Sequence, residues 1–155
     1  MSMLELSEWV AISEIVATVS IVVSLLLVAY SIKRNTDEME SSNANFLYEL
    51  DEKISGDLSR DPGLASILVK VARKEALSDI EKIQFTNLHH RKLTVWEIAW
   101  TQHRSGSLAF GEWIDWDQYI SKTMKAEFPE EWWIDIRSAY KDEFAQHGDA
   151  TYVNH

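Results

Sequence analysis

The sequence has no cysteine, only two prolines and five glycines, and far fewer basic than acidic residues. Without cysteine the chain has no disulfide, no thiolate metal ligand and no cysteine nucleophile. The scarcity of proline and glycine, beside an apolar fraction of 46%, argues against disorder and against an all-β fold with many turns. We therefore predict an all-α fold.

Basic residues are the second shortage. Lysine and arginine number 15 against 25 aspartates and glutamates, so the net charge is −10. Residues 1–34 hold three of the acids and two of the bases, which leaves −9 on residues 35–155. An acidic surface repels phosphate backbones, so we expect no nucleic-acid partner. Cations or a basic protein partner fit this charge better.

Catalytic motifs are also missing. The chain contains no G-x-S-x-G, no glycine-rich phosphate loop and no H-E-x-x-H. His89 and His90 are consecutive, so on a helix they point about 100° apart and do not share a metal ion. We predict no catalytic residue, no bound metal and no cofactor, and we interpret the chain as a protein other than an enzyme. The alternative left open is a membrane-anchored enzyme, which would need a bound ligand or metal among the tryptophans.

One long apolar run is present, WVAISEIVATVSIVVSLLLVAY, from Trp9 to Tyr30. As a helix rising about 1.5 Å per residue it reaches about 33 Å, enough to cross a hydrocarbon core of about 30 Å. Residues 1–8 form a short tail that lacks the basic n-region of a secretory signal peptide. The apolar run is also not followed by a well-placed cleavage site of small residues. We therefore predict a retained transmembrane helix at 9–30.

The charges that flank this helix are asymmetric. Lys33 and Arg34 follow it, whereas Glu5 and Glu8 precede it. Cytoplasmic flanks of membrane helices carry the excess of basic residues. The asymmetry predicts a single-pass protein of the inner (cytoplasmic) membrane, with its N-terminus outside and its C-terminal domain in the cytoplasm.

Two rows of residues distinguish the faces of the predicted span. The first row consists of Glu14, Thr18, Ile21, Leu25 and Val28, and the neighbouring row consists of Ser13, Ser20, Ser24 and Ser31. Rows of small polar residues are where membrane helices approach one another closely. We predict a homo-oligomer in membrane lipid, in which the serines pack between helices and the glutamate row is a candidate cation pore or interface.

Two alternatives remain open at this stage. The Glu14 carboxylate can instead reach the outer headgroups or stay protonated, because it lies only about 7.5 Å inside Trp9. The span is then only an anchor. In that case the chain is a membrane-tethered interaction or regulatory module whose acidic helical domain binds another protein.

We predict a juxtamembrane amphipathic helix over residues 31–60. We predict a small cytoplasmic bundle of about four or five helices, with its helical domain over residues 61–155. The sequence Asp61-Pro62-Gly63 breaks the chain, and a short helix runs from Leu64 to Lys74. Ser78 and Glu81 form a capping-box pattern that begins a helix of many apolar residues, ended near Arg104 by Gly106. The next helix covers about residues 110–126.

The end of the chain carries an aromatic segment. Pro129 is a plausible first helical residue, and residues 132–144 have the apolar spacing of one amphipathic helix, while little pattern follows Gly148. Seven tryptophans are many for this length. Trp96 and Trp100 lie four apart, as core residues do. The other four of the helical region either pack between helices, which we favour, or line a pocket beside Arg104 or Arg137: Trp113, Trp116, Trp132 and Trp133.

Glu97 lies on the most apolar helix of this region, so we expect it to be buried against Arg91, Lys92 or Arg104.

Several motifs are similar to those of a known group. S-I-K-R-N-T follows the apolar run, W-E-I-A-W-T-Q-H-R-S-G-S-L ends the long helix, and P-E-E-W-W comes near the end. The chain resembles a large group of uncharacterised single-span bacterial membrane proteins. The residues that carry the resemblance are Arg34, Asn35 and Thr36 after the span, Gln102, Arg104 and Gly106 at the helix end, and the Trp132-Trp133 pair. The resemblance implies an anchor and an all-helical domain, without an activity.

Overall fold

The computed structural model describes residues 3–128 and 130–153, with side chains over 7–128, 130 and 132–151. All regular elements in these residues are helical, which confirms the all-α prediction. Pro129 lies outside the described residues. The elements are α1 (Met3–Arg60), α2 (Pro62–Ala72), α3 (Asp79–Arg104), α4 (Phe110–Glu127), α5 (Glu130–Ile136), a 3-10 turn (Arg137–Ala139) and α6 (Asp142–Val153).

The chain divides into two compact units, which we call the apolar unit (residues up to Met39) and the helical domain (from Glu40 on). The apolar unit is the first part of α1, and none of its described side chains is buried. Among the described residues, one helix is long and apolar enough to cross a membrane. A signal sequence near the start of a chain meets the same criteria. The helical domain contains the last part of α1 and all of α2–α6.

Side-chain caps define the start of α2. The Asp61 carboxylate accepts hydrogen bonds from the backbone N–H groups of Gly63 at 2.8 Å and Leu64 at 3.4 Å. Pro62, which has no N–H to satisfy, occupies the first helical position. The helix therefore begins two residues before the predicted start at Leu64. It ends at Ala72, because Lys74 has a positive φ of 57°.

The predicted capping box of α3 is present. The backbone N–H of Glu81 donates to Ser78 Oγ at 3.3 Å, and the N–H of Ser78 donates to Glu81 Oε2 at 2.8 Å. The Lys70 ammonium lies 2.5 Å from the same carboxylate and links α2 to α3. Its hydrogen bond, with those at Ser78, lowers the pKa of Glu81 to about 2. At the other end, Gly106 adopts the left-handed φ of +71° that terminates α3.

Helix α3 runs through the centre of the helical domain. Trp96, Leu93 and Ala99 have no exposed surface. The Trp96 indole N–H donates to Asp117 of α4 at 2.8 Å, and its ring meets Phe144 of α6 edge-on, with centroids 5.2 Å apart. One residue therefore ties three helices together, as expected for a core tryptophan.

The end of the chain differs from the prediction of one amphipathic helix over residues 132–144. Helix α5 stops at Ile136, the 3-10 turn follows, and α6 begins at Asp142. Tyr140, between the two, has extended backbone angles. Helix α6 then continues through Gly148 to Val153, where little pattern was expected. A Cβ atom on Gly148 would overlap the Trp133 ring, so this glycine permits close contact between α6 and α5.

The expected ion pair of Glu97 is not formed. Its carboxylate instead accepts a hydrogen bond of 3.4 Å from the backbone N–H of Lys141, just before α6. The three candidate partners pair elsewhere: Arg91 with Asp57 at 2.8 Å, Lys92 with Glu127 at 2.7 Å and Arg104 with Glu143 at 3.5 Å. Glu97 thus lies beside the start of α6, where backbone N–H groups attract a carboxylate.

The contact between Gly148 and Trp133 predicts the effect of a single methyl group. Gly148→Ala should lower the free energy of unfolding by about 1–3 kcal/mol, because the added carbon overpacks the α5–α6 contact. The control is Gly111→Ala in α4, where a Cβ atom meets nothing within 4 Å. That substitution should be neutral or stabilise by up to about 1 kcal/mol. Thermal unfolding of the full chain in detergent measures both, and equal effects would contradict the packing.

Candidate functional site

The predicted interface row follows one side of α1 within the apolar unit. Glu14, Thr18, Ile21, Leu25 and Val28 are separated by alternating steps of four and three residues, and their side chains are exposed. This average step of about 3.5 residues is the repeat with which helices pack in left-handed pairs or bundles. The row therefore forms a continuous seam along the helix.

Hydroxyl groups of the apolar unit bond to their own helix. Ser13 donates to the carbonyl of Val10 at 2.7 Å, and Ser20 donates to that of Val16 at 2.7 Å. Ser24 and Thr18 donate to the carbonyls four residues earlier, at 2.8 Å each. Such bonds satisfy polar groups that hydrocarbon cannot. Ser13, Ser20 and Ser24 of the serine row therefore offer a neighbouring helix small size rather than free donors.

Glu14 is the one charged residue between Trp9 and Tyr30. Its carboxylate has no hydrogen bond and no ion pair with any residue that the structure describes. A carboxylate at mid-depth in a bilayer costs about 2.5–3.5 kcal/mol on insertion scales, and less near the interface. In a membrane-spanning helix, the Glu14 carboxylate would therefore gain from a partner outside its own helix.

A buried polar cluster joins α3 to α4 in the helical domain. His89, with no exposed surface, has Nδ1 2.6 Å from the carbonyl oxygen of Phe85 and Nε2 3.0 Å from Glu127 Oε2. Lys92 donates to the same Glu127 oxygen at 2.7 Å. Burial lowers the pKa of His89, although the hydrogen bond to Glu127 opposes this. Burial raises the pKa of Glu127, but hydrogen bonds from His89 and Lys92 outweigh it and lower that pKa overall.

Tryptophans of the last helices pack in the core. Trp113 and Trp133 are 8% and 1% exposed, and Trp133 donates to Asp149 at 2.9 Å. The two arginines considered as pocket cations have other contacts. Arg137 pairs with Asp149 at 2.8 Å, and Arg104 lies over the ring of Trp100 at 5.6 Å. These contacts favour packing over an aromatic pocket at this end of the domain.

A cleft of about 330 Å³ lies elsewhere in the helical domain, between α1 and α4. Its lining residues are Tyr48 and Asp51 from α1 and Asp115, Trp116 and Tyr119 from α4. The Tyr48 hydroxyl donates to Glu112 at 3.0 Å, which connects the two helices at one side. Of the tryptophans discussed from sequence, only Trp116 takes part.

The sequence interpretation missed this cleft. Each helix carries a local signal, since Tyr48 and Asp51 are three apart and Asp115 and Tyr119 are four apart. Residues at these spacings share a helix face. The pairing of α1 with α4 brings the two faces together across 64 residues of sequence, as the bond from Tyr48 to Glu112 shows. No local pattern contains that pairing.

Among the described residues, no three histidine, aspartate or glutamate side chains are grouped to hold a metal ion. Comparison of the chain with protein-family models, curated proteins and solved structures finds no match. The resemblance to single-span bacterial proteins therefore stays a prediction carried by its motifs alone.

The His89–Glu127–Lys92 cluster predicts how stability depends on pH. Glu127→Gln should lower the free energy of unfolding at pH 7 by about 1–3 kcal/mol, because it leaves a nearly buried lysine without its charged partner. In the parent chain, the lowered pKa of His89 makes stability fall as the pH drops below the ordinary histidine value of 6.5. The lowered pKa of Glu127 adds a further loss of stability as the pH drops below the ordinary glutamate value of 4.5.

Denaturant unfolding at several pH values measures both effects. Glu143→Gln is the matched control, because its partner Arg104 is 3.5 Å away and both side chains are mostly exposed. That control should change stability little at any pH. A Glu127 variant as stable as the control would contradict the role assigned to the cluster.

Proposed function

We propose that this chain is a single-pass membrane protein of the inner (cytoplasmic) membrane that self-associates into a homo-oligomer through its span. Fifteen large apolar side chains between Trp9 and Ile32 are 49–67% exposed. Burial of each is worth about 1.5–3 kcal/mol, so leaving all of them in water costs on the order of 20 kcal/mol or more. A surface of this kind fits the apolar interior of a lipid bilayer.

The flanking charges support the orientation. Lys33 and Arg34 follow the apolar segment, and Glu8 precedes it. Arg34 pairs with Glu38 at 2.8 Å, but both side chains are more than 60% exposed. Acidic residues contribute little to the positive-inside rule, so this pair does not cancel the bias. The N-terminus then lies outside and the helical domain in the cytoplasm.

Self-association is supported by Glu14, whose carboxylate has no partner within its own helix among the described residues. A second copy of the span supplies an identical group at the same depth, and protonated carboxyl groups can share hydrogen bonds across the interface. The seam of Thr18, Ile21, Leu25 and Val28 provides apolar packing at the spacing that helix pairs use. The adjacent serine row permits close approach.

A cation pathway along the oligomer axis is the second candidate. The observation that favours it is the order of the residues on the seam, with Glu14 toward the outer end and Ile21, Leu25 and Val28 behind it. Acidic residues concentrate cations at a mouth, and an apolar constriction gates by excluding water. A span that is only an anchor for a protein-binding module is the competing account.

Disulfide crosslinking tests self-association directly, because the chain has no cysteine of its own. Leu25→Cys should crosslink into dimers under mild oxidation in native membranes, since it lies on the seam. Val23→Cys, two residues away and about 200° around the helix at nearly the same depth, is the control and should remain monomeric.

A third variant locates the interface. Ser24→Cys crosslinking in preference to Leu25→Cys would place the serine row, rather than the glutamate row, at the contact. Crosslinking at none of the three positions would leave the span an anchor and would remove both the homo-oligomer and the cation pathway.

A further inference from the structure

The cleft between α1 and α4 has aromatic walls. The rings of Tyr48 and Trp116 have centroids 5.2 Å apart and planes inclined at 46°. Trp116 and Tyr119 meet almost at right angles, with centroids 6.1 Å apart. Three aromatic residues thus line one small space, in which Tyr48 and Tyr119 are about half exposed and Trp116 is 4% exposed. Aromatic faces carry negative potential and attract a cation within about 6 Å, and tryptophan attracts it most strongly.

The charges at the cleft are all negative. Asp51 and Asp115 line it, and neither has a hydrogen bond or an ion pair with a described residue. No described lysine, arginine or histidine is among the lining residues. Burial raises the pKa of Asp51, and burial followed by the charge of Asp51 raises that of Tyr119. The residues that line the cleft therefore carry only negative charge, and Lys92, which does not line it, offsets part of the charge of Asp51.

The central ring is fixed by packing alone. Trp116 is 4% exposed, and its indole N–H has no hydrogen-bond partner in the described part of the chain. Buried N–H groups are usually paired. Because this one is not, the ring is held between α1 and α4 by its packing contacts with neighbours such as Tyr48. A rigid wall needs no reorganisation when a ligand arrives, which favours binding.

We propose that this cleft binds a small organic cation with a methylated ammonium head, such as a free choline-type solute. Aromatic walls cannot accept hydrogen bonds as carboxylates do, so an ammonium with methyl groups in place of N–H donors loses little there. The volume of about 330 Å³ lies at the small end of ligand sites. A head group that carries a phosphate beside its ammonium would bring that anion next to Asp51 and Asp115. The charge therefore selects a free cation over a phosphocholine head group.

This site belongs wholly to the helical domain, so it does not depend on self-association of the span. Its test uses the full chain in a detergent without choline groups. Choline chloride should raise the thermal unfolding midpoint in a saturable manner, beyond the effect of sodium chloride at the same ionic strength. The neutral tert-butyl isostere of choline, which has the same shape without the charge, should not.

Two variants locate the effect in the cleft. Asp51→Asn and Tyr119→Leu should each weaken the apparent affinity for choline about fivefold or more. Both side chains have exposed surface, so we expect each variant to fold. The thermal unfolding midpoint of each variant without choline reports any loss of stability. The matched controls are Asp79→Asn, whose side chain is 97% exposed, and Phe110→Leu on the same helix as Tyr119. These controls should keep the parent affinity.

Three outcomes would overturn the proposal. The first is a choline effect no larger than that of sodium chloride, and the second is an effect unchanged in both cleft variants. The third is an equal or larger effect from glycerophosphocholine, which would identify a lipid head group rather than a free cation as the ligand. A choline effect that the isostere does not reproduce and that both cleft variants weaken supports it.

Discussion

The uncovered apolar surface of α1 is the constraint on which the rest of the structure depends. Between Trp9 and Ile32 the helix exposes apolar side chains on all sides, and nothing in the described chain buries its most apolar stretch. The hydroxyls of Ser13, Thr18, Ser20 and Ser24 bond to their own backbone, as in hydrocarbon. Glu14 is the charged residue of this stretch, and its carboxylate has no partner among the described residues. In the function that we propose, a lipid bilayer covers the apolar surface and a second copy of the helix supplies the partner of Glu14.

The helical domain follows the opposite rule, because its buried polar groups are almost all paired. Asp117 accepts hydrogen bonds from Trp96 at 2.8 Å and from His147 at 2.6 Å, which joins α3, α4 and α6. Among the described residues, the buried side-chain atoms without a hydrogen-bond partner are Gln102 Oε1 and the indole Nε1 of Trp116. Trp116 belongs to the cleft between α1 and α4, where Asp51 and Asp115 supply the negative charge.

Sequence alone predicted the features that depend on neighbours within one turn. The capping box of Ser78 and the positive φ of Gly106 define α3 as expected. The apolar spacing failed over residues 132–144, because positions three and four apart recur on both sides of a 3-10 turn and hide the break. Gly148 lies against the Trp133 ring of α5, and the cleft depends on α1 meeting α4. Tertiary contacts of this kind leave no local pattern.

Membrane topology is the most direct test of the proposed single span. Because the chain has no cysteine of its own, an introduced cysteine is the only thiol that a reagent can label. Single cysteines at Ser7 and at Ser138, both exposed, report on the two sides of the span. In sealed right-side-out vesicles, a membrane-impermeant thiol reagent should label Ser7→Cys at once and Ser138→Cys only after the vesicles are opened. Equal labelling of both in sealed vesicles, or release of the chain by an alkaline wash, would contradict the single span.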